Sequence, residues 1–369
     1  MSIQAYGEQT TLAWRKQRAG QRLIVGFSGT SPSDELRALC KETTPAGFVL
    51  FSRNIEEPTQ VRELCRELAS LLPSALPPLL SVDQEGGRVQ RLVGTKWPPL
   101  RWVGNASDLS VTTRFGRCVS DELVACGFNL NWAPVADVSG EEAHSVIGDR
   151  SFGSDPDRVS QQVVAYMAGA TASGVISGVK HFPGHGGTTT DSHEDLPVIE
   201  KDRRDLERCD MTPFQAAIES GVGVVMAGHI RYPAFDEVWP ASLSRQIIGG
   251  VLRGQLGFDG VVVTDDLDMG ALDVDGWPLQ QQLEMGCLAT GDLFLMCHHS
   301  ERQFEAYEHL VRLQEEDPMH DTLSEDSEKR LMCLRERFFI KREVTPGIDM
   351  VGCREHLALA ARIGDLGAP

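Results

Sequence analysis

The chain has 369 residues, 41% hydrophobic and 24% charged, enough to bury a large core in one domain or two. Asp and Glu outnumber Lys and Arg by 53 to 35, and the net charge of −18 argues against a polyanionic partner such as nucleic acid. No run reaches the roughly 18 consecutive apolar residues of a membrane span, the opening "MSIQAYGEQTTLAWRKQRAG" lacks the apolar stretch of a secretory signal, and nine scattered cysteines without a C-x-x-C pair read as reduced thiols in a cytoplasm.

In chain order, short apolar runs alternate with helical patterns. "RLIVGFSG" precedes the helix "SDELRALCKE", and "AGFVLFSRN" precedes "PTQVRELCRELASLL". "PPLLSVDQEGG" is followed by a helix over Arg114 to Cys126, and "FNLNWAPVADV" by one beginning near Asp155. "VISGVKHFPGHG" precedes "DRRDLERCDMTPFQAAIES", and "VGVVMAGHI" precedes "SRQIIGGVLRGQLG". "DGVVVTDDLDM" leads to "LQQQLEMGCLAT", and "DLFLMCHH" to "SERQFEAYEHLVRL". Strands buried on both faces read as such near-continuous apolar runs, which is the mark of a parallel sheet. Eight strand-then-helix units predict a single-domain (β/α)8 barrel over residues 19–315, with an N-terminal segment at 1–18 and a C-terminal helical extension at 316–369 packed on the barrel. A doubly wound sheet is the lesser alternative, since no G-x-G-x-x-G follows the first strand.

Polar residues cluster after these runs: Arg53 and Asn54, Asp83 to Arg91, Asp137, Lys180 to His193, His229, and Asp265 to Asp268. In a parallel barrel all such ends lie on one face, where active sites are built. The densest cluster, "KHFPGHGGTTTDSHEDLP", admits three readings: a metal site, an acid/base site or a solvated loop. His181, His185, His193 and Asp191 supply metal-binding atoms, but their spacing matches no compact ligand signature, and the Pro183-Gly184 turn is expected to splay His181 from His185. No metal and no other cofactor is therefore expected, and His185 reads as a loop-structuring residue.

The residues carry a family resemblance. "DQEGGRVQR", "NWAPVADV", "GDRSFGSDP", "KHFPGHGGTTTDSH", "PASLS" and "GFDGVVVTDDLDM" occur in an order that resembles glycoside hydrolase family 3, and within it the single-domain bacterial β-N-acetylhexosaminidases of peptidoglycan recycling. The resemblance covers roughly residues 20–300, and the long histidine motif is its most specific part. It implies Asp265 as the nucleophile of a retaining mechanism, His193 as the acid/base and Asp191 as the carboxylate that orients it. It also implies Asp83, Arg91, Arg150, Lys180 and His181 as sugar-binding groups, with Met226 lining the pocket.

The chemistry of the residue types is consistent with those roles. With Val261 and Val263 facing the barrel interior, period-two alternation turns Asp265 inward and Asp266 outward, so Asp266 reads as a loop-capping carboxylate. An imidazole beside a carboxylate titrates near neutrality and can donate and then accept the same proton. For Asp83 and Lys180 the plain alternative is a buried ion pair between strands, and for Trp132 it is filling of the barrel wall rather than stacking on a sugar. The expected activity is release of terminal β-linked GlcNAc by a cytoplasmic enzyme acting as a monomer on muropeptide or chitooligosaccharide substrates. A β-glucosidase, a phosphorylase, a substrate-assisted mechanism and a catalytically silent sugar-binding barrel stand as alternatives.

Overall fold

The computed structural model describes residues 3–106, 108–140, 146–187, 196–270, 272, 276–339 and 346–368, with the backbone alone for residues 3–10. Eight parallel strands close into a barrel in chain order: β1 Leu23–Val25, β2 Gly47–Leu50, β3 Leu79–Val82, β4 Leu130–Asn131, β5 Ile176–Phe182, β6 Val224–Ala227, β7 Val261–Asp266 and β8 Leu293–Met296. The register runs through Ile24↔Gly47, Gly47↔Leu79, Val82↔Asn131, Asn131↔Ser177, Val224↔Val261 and Val263↔Leu293, and Leu23↔Phe294 closes the ring.

Alternation along the strands divides the apolar residues between two cores. Ile24, Val49, Leu79, Leu130, Ile176, Val224, Val261, Val263 and Leu293 fill the barrel. Their neighbours Leu23, Val25, Phe48, Leu50, Val225, Val262 and Phe294 face outward and pack under the helices. The helix Pro318–Phe338 sends Leu331 and Leu334 into the inner cluster.

Three segments depart from the pattern read in the sequence. The fourth strand pairs over two residues only, because Pro134 has no N–H for the ladder; pairing resumes as a bridge between Val135 and Lys180. The helix expected from Arg114 starts at Leu109, where Asp108 caps it by accepting from Ser110 N at 2.9 Å. "DRRDLERCDMTPFQAAIES" is not one regular helix. A wide turn over Leu206–Asp210, closed by Met211 N donating to Leu206 O at 2.9 Å, separates Arg203–Asp205 from Thr212–Glu219. Pro213, lacking an N–H, cannot continue the α-helical hydrogen bonding across it.

Candidate active site

The loop after β3 is folded back on itself by its own side chains. Gln84 accepts the backbone N–H groups of Arg91 at 2.8 Å and Leu92 at 3.1 Å, while Asn131 of β4 accepts Gln84 N at 2.9 Å and donates to Gln84 O at 3.0 Å. This return brings Arg91 beside the strand end that carries Asp83. Between them Glu85, only 1% exposed, receives Lys180 Nζ at 2.6 Å and both Arg150 Nε and Nη2 at 2.8 Å. Lys180 Nζ also donates to Asp83 Oδ1 at 2.6 Å. Two carboxylates and two cations thus make a neutral cluster, which is the condition for keeping four charges out of water. Burial pushes the Glu85 carboxyl up, but Arg150 and Lys180 outweigh it and hold it far below the usual carboxylate range. Burial likewise disfavours the Lys180 charge, and Asp83 and Glu85 reverse that and raise it.

Asp137, after β4, organises the start of the histidine loop. Its Oδ1 accepts His181 N at 3.1 Å and His185 N at 2.7 Å, and its Oδ2 lies 2.8 Å from His181 Nδ1. A carboxylate only accepts, so the proton sits on Nδ1 and Nε2 is the atom left to meet a ligand. The expectation that the Pro183-Gly184 turn splays the two histidines is corrected here. One carboxylate gathers both backbones, and the rings meet edge to face at 5.5 Å. Burial, with the His181 charge adding to it, pushes His185 down to about 4, while Asp137 opposes. Tyr232 Oη donates to Gly184 O at 2.7 Å, and Gly184, at φ 137°, lies against the Asp210 side chain, where a Cβ would come within 2.7 Å. Asp210 is in turn held by Lys201 Nζ at 2.9 Å. Among the described residues no group of three or more His, Cys, Asp and Glu side chains gathers as a metal site.

Just beyond β6, His229 Nε2 donates to Asp266 O of β7 at 3.0 Å and its Nδ1 lies 2.7 Å from Ser242 Oγ, which gives "PASLS" a function in bracing the β7 end. Asp265 accepts Asp266 N at 2.9 Å. Burial raises the Asp265 carboxyl, but His229, His181, the Asp266 N–H and Lys180 together bring it below its ordinary value, so it is ionised at neutral pH. Asp266 differs. Its Oδ1 accepts Asp268 N and Cys297 N, both at 3.1 Å, in the loop-capping manner expected, but it is not turned away from the site as strand alternation suggested, since it lines the same cavity as Asp265; burial raises it to about 7.

One cavity of about 330 Å³ joins these parts. Asp83, Arg91, Arg150, Lys180, His181, Met226 and Asp265 all line it. Trp132 and Met226, 1% and 3% exposed, belong to the inner core and form its floor, and the Trp132 indole lies so close on Gly178 that a Cβ there would come within 2.5 Å of the ring. Asp191 and His193 lie outside the described residues. The sequence reading assigned no role to Glu85, although it stands inside "DQEGGRVQR", nor to His298, which follows β8 and lines the same cavity.

The cavity thus joins a carboxylate at the end of β7 to a wall of buried ion pairs, on the face of a (β/α)8 scaffold where active sites are built. The family described as Glycosyl hydrolase family 3 N terminal domain matches residues 16–333. The chain belongs to that family and is a glycoside hydrolase. A β-hexosaminidase of Thiobacillus denitrificans is 39% identical over 292 residues, 76% of this chain and 79% of the relative. The family 3 β-N-acetylglucosaminidase of Paenibacillus sp. FPU-7 superposes with a TM-score of 0.90 at 36% identity, covering 95% of this chain and 68% of that one. NagZ of Neisseria gonorrhoeae, solved with N-trifluoroacetyl-D-glucosamine, gives a TM-score of 0.76 at 26% identity over 94% and 98% of the two chains. The same NagZ has also been solved with a zinc ion.

Proposed function

We propose that this protein is a retaining exo-β-N-acetylglucosaminidase that releases terminal β-linked GlcNAc, with muropeptides of cell-wall turnover as its substrates. The observation that carries the reading is the single cavity in which ionised Asp265 faces the Asp83–Lys180–Glu85–Arg150 wall and His181. The hexosaminidase relatives and the glucosamine derivative held by the Neisseria enzyme support GlcNAc as the sugar.

In this mechanism the wall binds the ring hydroxyls, and Asp265 attacks the anomeric carbon to form a covalent glycosyl-enzyme. His193, oriented by Asp191, gives a proton to the departing oxygen and then takes one from water. Asp266 holds its two backbone N–H groups and takes no part in bond making.

The test combines aryl β-glycosides of GlcNAc and glucose, each assayed with and without phosphate, with a 2-fluoro sugar trap. The GlcNAc glycoside should turn over faster, phosphate should not be consumed, and the trapped label should lie on the peptide containing Asp265. Asp265→Ala should lose on the order of 10⁴-fold in kcat, and prolonged chelation should leave activity intact. Faster cleavage of the glucoside, a label elsewhere, or stoichiometric zinc whose removal abolishes turnover would each overturn the corresponding part.

A further inference from the structure

β3 and β7 face one another across an eight-stranded ring, so a sugar that meets Asp83 with its hydroxyls and Asp265 with its anomeric carbon lies across the barrel mouth. The β4–β6 side of that mouth supplies Arg150, Lys180, His181 and Met226. The β8–β2 side supplies Phe51 and His298, each placed just beyond a strand end and so outward of the floor.

These two rings stand 5.8 Å apart and 32° from parallel. Arg53 lies over Phe51 at 4.5 Å, its guanidinium held by the carbonyls of Phe27 at 2.9 Å and Cys297 at 2.5 Å. The backbone of His298 donates to Asp268 Oδ2 at 2.8 Å, and Arg302 fixes the other oxygen of Asp268 at 2.8 Å. The imidazole Nε2 is 3.4 Å from Asp266 Oδ2, yet the side chain is 45% exposed. Both backbone donors of Asp266 go to Oδ1, so the imidazole is the group that faces Oδ2. A ring fixed by three contacts and still half open to the cavity serves a ligand better than it serves the rim.

We propose that Phe51 and His298 form the leaving-group subsite and that it takes a second pyranose ring. A pyranose has an apolar C–H face, which suits the aromatic pair, and a rim of hydroxyls, which suits an imidazole that can donate or accept. The inference rests on the glycosidase reading above and adds to it what stands on the far side of the scissile bond.

The experiment compares kcat/KM for the disaccharide GlcNAc-β-1,4-GlcNAc and for methyl β-GlcNAc in the full-length wild type, His298→Ala, Phe51→Ala and Phe51→Tyr. Both alanine variants should lose about tenfold more on the disaccharide than on the methyl glycoside, chiefly through KM, and Phe51→Tyr should retain most of the wild-type ratio. Disaccharide binding to the Asp265→Ala enzyme, measured by calorimetry, should weaken with the same two alanine substitutions. Equal losses on both glycosides, or none on the disaccharide, would overturn the subsite and leave the hydrolase standing. Disaccharide binding that weakens with both alanine substitutions, in a wild type that cleaves neither glycoside, would keep the subsite and overturn the exo-glucosaminidase reading.

Discussion

At Glu85 a buried carboxylate separates an ammonium from a guanidinium, and its replacement by glutamine would leave Lys180 with Asp83 as its ion-pair partner and Arg150 with no carboxylate in direct contact, only the charges of Asp137 and Asp83 nearby. Breaking such a cluster costs about 3–5 kcal/mol, so Glu85→Gln should lower urea stability by that order and raise KM at least about tenfold, because the two cations that line the cavity lose their fixed geometry. The sign of its pH dependence follows from the depressed pKa: ionised Glu85 stabilises the fold above the ordinary value of 4.5, and that stabilisation is lost as pH falls toward the folded-state value. Asp266 behaves in the opposite sense. Burial first, with the Asp268 and Asp265 charges adding and the Asp268 N–H opposing, raises it from 3.8 to about 7, while Arg53 and His298 face it from β2 and β8. Between those pH values the native state keeps a proton that the unfolded chain has released, so stability falls as pH rises through the window. Asp266→Asn preserves an oxygen for Asp268 N and Cys297 N without the charge. Its melting temperature should exceed that of the wild type at pH about 8 and converge with it only near pH about 2.5, below the ordinary 3.8, where the carboxyl is protonated in both states.

Helix against helix, the outer layer is pinned by one buried acid. Glu122, on the helix Leu109–Cys126, accepts His356 Nδ1 at 2.8 Å, Gly352 N at 3.0 Å, Thr95 Oγ1 at 2.5 Å and Trp97 Nε1 at 3.2 Å. This joins the helix Arg354–Gly367 and the segment after Gly94 to the barrel's coat. Burial lowers the His356 pKa, but Cys118 and Glu122 overcome it and raise it to about 10. His356 therefore adds stability that is full below its ordinary 6.5 and is lost as pH rises through about 10. His356→Ala should cost about 3 kcal/mol at pH 6, and its urea midpoint should change less between pH 6 and 10 than that of the wild type. None of this was visible in the sequence, where Glu122 and His356 stand 234 positions apart without a shared motif. The strands were legible because burial on both faces leaves continuous apolar runs, and the cavity residues because polar groups follow those runs. Applied to "DLFLMCHH", the same rule points to His298, a signal that was present and unused. Glu85 was hidden for a different reason: a motif names residues but not their partners, and only the approach of β5 to β3 makes it a counter-ion. The histidine pair was misread because turn geometry was weighed without Asp137, whose two oxygens decide where both backbones go.

Across the whole molecule, the ends of the barrel carry different burdens. The C-terminal ends of the strands hold the cavity, whereas the opposite end is closed by the helix Pro318–Phe338. Leu331 and Leu334, 1% and 5% exposed, plug the inner core from below, and Arg335 from the same helix donates to Pro77 O at 3.1 Å, Ala46 O at 3.4 Å and Gln21 Oε1 at 2.7 Å. Two of those acceptors are backbone carbonyls at the entrances of β2 and β3: Ala46 O also takes Leu79 N at 3.0 Å, while Pro77 O relies on the guanidinium. Truncating a buried leucine costs about 2–5 kcal/mol, and two leucines three positions apart share one void, so their losses should not simply add. Leu331→Ala combined with Leu334→Ala should therefore lower the urea midpoint well beyond either single change's half-share, with a total on the order of 5 kcal/mol. Catalysis should respond differently, because conservation of structure at this end matters to folding and not to the chemistry at the other. Below the unfolding transition, kcat/KM for a GlcNAc glycoside should stay within about twofold of the wild type. A tenfold loss of kcat/KM in protein that is still fully folded would show that packing beneath Trp132 and Met226 sets the height of the cavity floor, and that the two ends of the barrel are mechanically one.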